Sequence, residues 1–462
     1  MSTQKTIKPV TLAGFQDYLP ERMIILQSTL DKIRAVYESF GFLPLDTPSM
    51  EKLEVLTGGE QFNKSIFVSR IKSGLEDSAE NLLEEDFASR FDLTVSLARV
   101  VAAYPDIPKP FKRYQVGKVW RGEKPQKGRF REFLQFDIDT IGSKSIWADT
   151  EIVQIMYKTL KTLGFENFNI KINDRRILNA LAETLGFQDS DKDLFRTIDK
   201  MDKLGIEGII AELASLNQFQ LIGKPLDEAA KEILRNFLSI KEKDPVEIMN
   251  ATQKILGGKT VNGDLGIQAM KDMIKNLDSL GIPREFWTID LSVARGLDYY
   301  TGPVFETYIT NVDGLGSVFS GGRFDGLTNR FVPGSNIAGV GASVGVDRII
   351  LALESKGLVK KTNTTADVLV TVFNEGLAEY SMKLGQDMRE AGIKTEVYIG
   401  EPVSLKAQIV YAVKRGIRFV VIVGQDEIAK GMIAVKDTTD KSQVVLTKDE
   451  AFVSIISRLK SL

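Results

Sequence analysis

The chain has 462 residues, 43% hydrophobic and 26% charged, with a net charge of −2, an ordinary globular composition with length for about three domains. It contains neither Cys nor His, which excludes disulfides, thiol nucleophiles, Ser-His-Asp triads, imidazole acid–base catalysis and the common zinc ligands. Its chemistry must run on carboxylates, arginines, lysines and tyrosines, and any metal should be hard and oxygen-ligated.

No run approaches the ~18 apolar residues of a membrane span, and the polar residues 1–8 lack the apolar stretch of a signal peptide. The expectation is a soluble, cytoplasmic protein with no membrane partner. Near-neutral net charge neither announces nor excludes a nucleic-acid partner.

In chain order, apolar residues at Met23, Leu26, Leu30, Ile33, Tyr37 and Phe40 step by three and four and predict a helix over 21–40. Pro20 suits its first turn and Gly41 its stop. An extended segment over 42–47 contains Pro44 and is an edge strand at best. Another strand is expected over 65–71. Residues 111–120 and 131–141 read as an antiparallel pair. From about 177 to 284 the pattern is mostly helical. Strands return at 287–291, 304–310 and 318–320, and a helix runs from about 345 to 355. After a polar stretch over 356–365, strands at 367–373, 395–399 and 419–423 alternate with helices at 377–391 and 405–415, a parallel βαβαβ order. Strands at 432–436 and 443–446 and a helix from 448 complete the chain.

Four segments carry chemistry. Between the paired strands lies Arg121-Gly-Glu-Lys-Pro-Gln-Lys-Gly-Arg129. Such a hairpin can hold phosphate on guanidinium and stack a base, or it is a solvated charged turn. Arg295-Gly-Leu-Asp-Tyr-Tyr-Thr-Gly302 places two tyrosines between glycines, as a pocket wall or as a Gly-bounded loop. Gly339-Val-Gly-Ala-Ser-Val-Gly-Val-Asp-Arg348 contains GxGxxxG but lacks the βαβ setting of a dinucleotide fingerprint. It reads as small residues packing under a site with Arg348 aimed at phosphate, or as close packing alone. Arg90-Phe-Asp-Leu-Thr94 offers Asp92 and Thr94 from a strand or a helix start. Gln135 and Asp139 lie four apart on a strand and share a face.

Together these segments resemble the class II aminoacyl-tRNA synthetases, and more narrowly the histidyl-tRNA synthetase family. The first helix and the extended segment ending at Pro48 resemble the first class motif, 111–142 the second, and 339–348 the third. The Arg295 segment and Ser320-Gly-Gly-Arg-Phe-Asp-Gly-Leu327 resemble the two segments peculiar to the histidine family. The resemblance implies an α+β catalytic domain, an antiparallel sheet flanked by helices, over 1–176 and 285–356. It implies a helical insertion over 177–284, a linker over 357–366 and an α/β anticodon-binding domain over 367–462.

It further implies a histidine–tRNA ligase that activates L-histidine with ATP and Mg²⁺ and transfers it to tRNA(His), working as a homodimer. Arg121 would hold the α-phosphate, Glu123 the adenine and Arg348 the γ-phosphate, with Arg295 as the catalytic arginine. Asp92 and Thr94 would bind the α-amino end, Gln135 would lie near the carboxylate, and Asp139 with Tyr300 would read the imidazole, Tyr299 alongside. Gln126, Lys127 and Arg129 would meet the tRNA acceptor end. Asp92 and Asp139 stand where some members carry Glu. The rival reading is a non-catalytic, histidine-binding regulatory paralogue of a histidine-biosynthetic phosphoribosyltransferase; such proteins lack the C-terminal domain and degrade the arginine and tyrosine motifs.

Overall fold

A computed structural model describes residues 7–58, 65–69, 87–126, 128–187, 191–198, 200–215, 226–240, 242–293, 299–312, 314–359, 361–401 and 404–460. The chain divides into two compact units, residues 1–17 with 29–358, and residues 18–28 with 359–462. Helix α1 (Pro20–Ser39) follows the predicted periodicity, with Leu26, Leu30, Ile33 and Tyr37 buried. It stops ahead of Gly41, whose φ of 77° suits only glycine comfortably.

The first unit continues with β1 (Leu43–Pro44), β2 (Met50–Lys52), α2 (Leu53–Thr57), β3 (Val68–Ser69), β4 (Phe87–Ser89) and α3 (Thr94–Ala103). The extended segment over 42–47 contributes two ladder residues at the sheet edge, followed by a bond from the Leu45 N–H to the Tyr114 carbonyl at 2.9 Å, so that the Pro44 nitrogen faces away from β5 and needs no partner. The strand expected over 65–71 is Val68–Ser69, and residues 70 and 71 lie outside the described residues. The predicted antiparallel pair is β5 (Phe111–Trp120) and β6 (Glu132–Ile141), in register from Phe111 opposite Ile141 to Trp120 opposite Glu132.

Next come α4 (Ile146–Thr162), β7 (Phe168–Asp174), α5 (Arg175–Thr184), α6 (Asp191–Ile198), α7 (Met201–Ser215), α8 (Glu228–Leu238), α9 (Pro245–Leu256) and α10 (Val261–Ser279). Strand β7 is absent from the predicted elements, although Phe168, Ile170 and Ile172 alternate and are all buried. The helical stretch begins at Arg175 and is not set apart from the first unit: Asn276 on α10 donates to Thr150 on α4 at 3.3 Å, both buried. Then follow β8 (Trp287–Ile289), β9 (Pro303–Ile309), β10 (Phe319–Arg323), β11 (Gly339–Gly345) and α11 (Val346–Ser355).

One eight-stranded sheet has the order β1-β5-β6-β11-β10-β9-β7-β8. Its outermost pairs, β1–β5 and β7–β8, are parallel, and the pairs between them are antiparallel. The Gly-rich segment weighed for close packing is itself the central strand β11, between β6 and β10. A buried ion pair ties the sheet to a helix: Arg323 on β10 meets both carboxylate oxygens of Asp149 on α4, Nε at 3.0 Å from Oδ1.

The second unit carries the expected alternation: β12 (Val368–Val370), α12 (Ala378–Glu390), β13 (Thr395–Val397), α13 (Leu405–Arg415), β14 (Phe419–Ile422), α14 (Gln425–Ala429), β15 (Met432–Asp437), β16 (Gln443–Thr447) and α15 (Lys448–Lys460). Its sheet runs β13-β12-β14-β15-β16, three parallel strands extended by an antiparallel pair. Val368, Val370, Phe419, Val421, Leu384 and Met388 form its core, as expected for parallel strands covered on both faces. Among the described residues, no helix is long and apolar enough to cross a membrane.

Candidate active site

The site lies on the sheet of the first unit, and strand period builds its floor. Gln135, Asp137 and Asp139 succeed one another at every second position of β6 and face one cavity of about 630 Å³. Register supplies their neighbours. Arg113 of β5 stands opposite Asp139 and binds its Oδ2 through Nη2 at 2.7 Å, with both side chains buried. Gly341 of β11 stands opposite Asp139 on the other side. A Cβ at Gly341 would run into Asp139 Oδ1 and the Ile138 carbonyl, so glycine here leaves room for the carboxylate. Gly341→Ala should displace Asp139, with an overpacking cost of about 1–3 kcal/mol read by denaturant titration. Unchanged stability would show that the strand can make room for the added methyl.

Burial raises the carboxyl pKa values of both Asp137 and Asp139, against the opposing pull of Arg113. The Ser343 hydroxyl of β11, opposite Asp137, hydrogen-bonds the Asp137 carboxyl and accepts from Gln135 Nε2 at 2.6 Å.

The start of α3 supplies the next wall. Asp92 accepts from the Val95 N–H at 3.1 Å, closing the helix start that the sequence left open between strand and helix. The Tyr299 hydroxyl donates to Asp92 Oδ2 at 3.2 Å and is hydrogen-bonded with Thr94. The Tyr299 and Tyr300 rings meet edge-on at 5.2 Å, and Phe324 meets Tyr299 at 6.0 Å. Burial, and then the charge of Asp92, raises the Tyr299 pKa well above that of free tyrosine, so this hydroxyl stays a donor.

The opposite end is cationic. The hairpin between β5 and β6 closes through Gln126 and Arg129, which exchange backbone hydrogen bonds at 3.0 and 2.9 Å. Arg121 lies 5.1 Å over the Phe133 ring and donates through Nε to the Phe91 carbonyl at 3.1 Å. Arg129 reaches Glu123 at 3.4 Å. Arg348, from the first turn of α11, donates to the Ser317 carbonyl at 2.6 Å and the Gly128 carbonyl at 3.3 Å. Burial and the neighbouring Arg129 and Arg121 lower its pKa. Three guanidiniums thus share one end with, among the described residues, a single ion pair to a carboxylate, that of Arg129 with Glu123, a preformed site for a polyanion. A recess of about 110 Å³, walled by Phe130, Phe133, Arg121 and Arg348, opens beside it. Asp347 binds the start of α11 to β6 by accepting from the Leu134 N–H at 3.1 Å.

The cavity therefore gathers Asp92, Thr94, Arg121, Glu123, Gln126, Arg129, Gln135, Asp139, Tyr299, Tyr300 and Arg348, all chosen from the sequence. Arg295 and Lys127 lie outside the described residues. Sequence reasoning missed Asp137, Arg113 and Ser343. Asp137 was within reach, since it lies between Gln135 and Asp139 on the same period-two face. Arg113 and Ser343 become visible only through strand register.

A family model described as histidyl-tRNA synthetase matches residues 14–349, and one described as an anticodon binding domain matches 367–458. A protein named histidine–tRNA ligase from Wolinella succinogenes is 39% identical over 99% of this chain and 100% of its own length. The crystal structure of histidyl-tRNA synthetase from Nostoc sp. PCC 7120 has a TM-score of 0.84 at 31% identity, covering 98% of this chain and 100% of that one. A structure from Bacillus halodurans described as an ATP phosphoribosyltransferase regulatory subunit/histidyl-tRNA synthetase has a TM-score of 0.72 at 22% identity, over 88% of this chain and 97% of that one, a likeness of fold alone. The Wolinella relative extends the match through the C-terminal unit, which favours the ligase over the regulatory paralogue. A class II catalytic sheet, a separate C-terminal sheet and these end-to-end matches agree: the chain belongs to the histidyl-tRNA synthetase family.

Proposed function

We propose that this cavity joins L-histidine to ATP as histidyl-adenylate and then passes the histidyl group to the 3′ end of tRNA(His). The observation that carries the reading is the polarity of one cavity: carboxylates and tyrosines at one end, three arginines at the other, and Gln135 on the floor that both ends share. Asp92, Thr94 and Tyr299 take the α-ammonium, and Asp139 and Tyr300 take the ring. Gln135 stands near the carboxylate. Arg121 holds the α-phosphate, Arg348 the γ-phosphate, and Glu123 the adenine beside Phe133. Gln126 and Arg129, with Lys127, meet the acceptor end of the tRNA. The resemblance assigns Arg295 to the α-phosphate.

The substrate carboxylate attacks the α-phosphorus, the bond to the bridging oxygen breaks, and diphosphate leaves. A carboxylate is already ionised near pH 7 and needs no general base, which suits a chain without histidine. Two anions must instead be brought together, and that is work for positioned guanidiniums. In the second step a terminal hydroxyl of the tRNA attacks the activated carbonyl and AMP leaves.

Among the described residues, no group of three acidic side chains could hold a metal unaided. Mg²⁺ bound chiefly by phosphate oxygens needs only one or two carboxylates, and Glu306 on the cavity wall is a fitting oxygen donor. When bound, the ion would neutralise phosphate charge. The active species is a homodimer in the cytoplasm.

The test is ATP–diphosphate exchange with each standard amino acid supplied singly. Exchange is expected with histidine alone. Histidine binding without exchange for any amino acid would overturn the ligase reading.

A further inference from the structure

Gln135, Asp137 and Asp139 face the same cavity, but their partners differ. Asp139 is ion-paired with Arg113 at 2.7 Å, although its Oδ2 makes no hydrogen bond of good geometry among the described residues. Asp137 is 3% exposed. The Ser343 hydroxyl serves its carboxyl, and Asp137 Oδ1 has no hydrogen-bond partner among the described residues. Gln135 Oε1 next to it is equally unserved. A buried acceptor left without a donor is costly, roughly 1–3 kcal/mol and more for a charged group. Such groups persist where a ligand brings the missing donor.

Charge counting points the same way. Among the described residues Arg113 forms its ion pair with Asp139, and Asp137 has no ion pair. The α-ammonium of the amino acid already has a carboxylate in Asp92, set apart with Thr94 and Tyr299 at the start of α3. Asp137 lies two residues from Asp139 on the same face of β6, in the cavity that Tyr300 also lines. The function proposed above seats the side chain against Asp139 and Tyr300. Imidazole is the one other part of histidine that carries an N–H donor and can take up a proton.

We infer that Asp137 is a specificity-determining residue for the amino-acid side chain: its free Oδ1 accepts a hydrogen bond from an imidazole N–H, and its charge favours a ring able to take a proton. This inference rests on the proposed histidine activation.

The test uses ATP–diphosphate exchange by the full chain with two substrates, histidine and 1,2,4-triazole-3-alanine. The triazole has nearly the same shape but stays unprotonated near neutral pH. The wild type should prefer histidine in kcat/KM. Asp137→Asn should raise the KM for histidine about 10- to 100-fold, the size of a lost charge-assisted bond, leave the KM for ATP unchanged, and narrow the preference over the triazole. Equal losses for both amino acids would overturn the ring assignment, because a general distortion or a contact to the α-amino group affects the two alike. An unchanged KM for histidine would also overturn it. Should Asp137→Asn fail to fold, Asp137→Ser is read by the same two-substrate comparison: a narrowed preference supports the assignment, and equal losses for both amino acids overturn it. A wild type with no histidine-dependent exchange overturns the activity itself, and with it this assignment, so the two failures are told apart by the unmutated chain.

Discussion

Arg121→Ala is expected to lower kcat for histidine-dependent ATP–diphosphate exchange about 10²- to 10³-fold, the range for removing one preorganised donor from developing charge. The KM for histidine should change little. The side chain is fixed before substrate arrives: its Nε is spent on the Phe91 carbonyl at 3.1 Å and its plane lies over Phe133. The remaining guanidinium donors are thereby aimed without loss of rotamer freedom on binding. Arg121→Lys should recover little, since an ammonium offers neither the planar fork nor the anchoring bond through Nε. Single-turnover adenylate formation, followed by release of labelled diphosphate, measures the step directly. Near wild-type rates in Arg121→Ala would mean that the α-phosphate is held by other groups.

The largest effect on stability is expected at Arg323. Its guanidinium meets both oxygens of Asp149, donates to the Ser143 carbonyl at 3.0 Å and reaches Asp325 at 3.1 Å. Asp149 is fully buried and Arg323 nearly so. Arg323→Met leaves a buried carboxylate unpaired and should cost about 3–5 kcal/mol in urea unfolding of the first unit. Burial already holds the Asp149 pKa up at about 6 even with its partner present. The double variant Arg323→Met with Asp149→Leu should regain most of the loss, because an apolar pair of similar volume avoids the desolvation penalty. If the double variant is no more stable than the single one, the pair does not act as a unit. The change should also reach the amino-acid site. The Arg323 carbonyl accepts the Thr301 N–H at 2.8 Å, and Thr301 follows Tyr300 in the chain. The single variant should therefore raise the KM for histidine more than that for ATP.

Much of the site can be read along the chain, because the signals that mark it are local. The arginine hairpin is nine consecutive residues between two strands of clear alternation, and Tyr299 and Tyr300 are adjacent. The βαβαβ order of the second unit shows in period and length alone. The zero counts of His and Cys narrow the chemistry to carboxylates, arginines, lysines, tyrosines and a hard metal before any fold is known.

Other features have no local signal. Gly339–Gly345 has poor strand propensity, yet it forms the centre of the sheet because β6 and β10 offer ladders on both sides. The two-residue ladder at Leu43–Pro44 lies at the sheet edge, where a proline nitrogen turned away from β5 needs no partner. Arg323 and Asp149 are 174 residues apart. Arg113, Asp139, Asp137 and Ser343 meet because three strands adopt one register. A one-residue slip in that register would turn each of these side chains to the other face. Residue types and short spacings thus name the chemistry. Which buried acid is paired with a cation depends on strand pairing, since a charge far away in sequence becomes a neighbour only when the backbone ladders close.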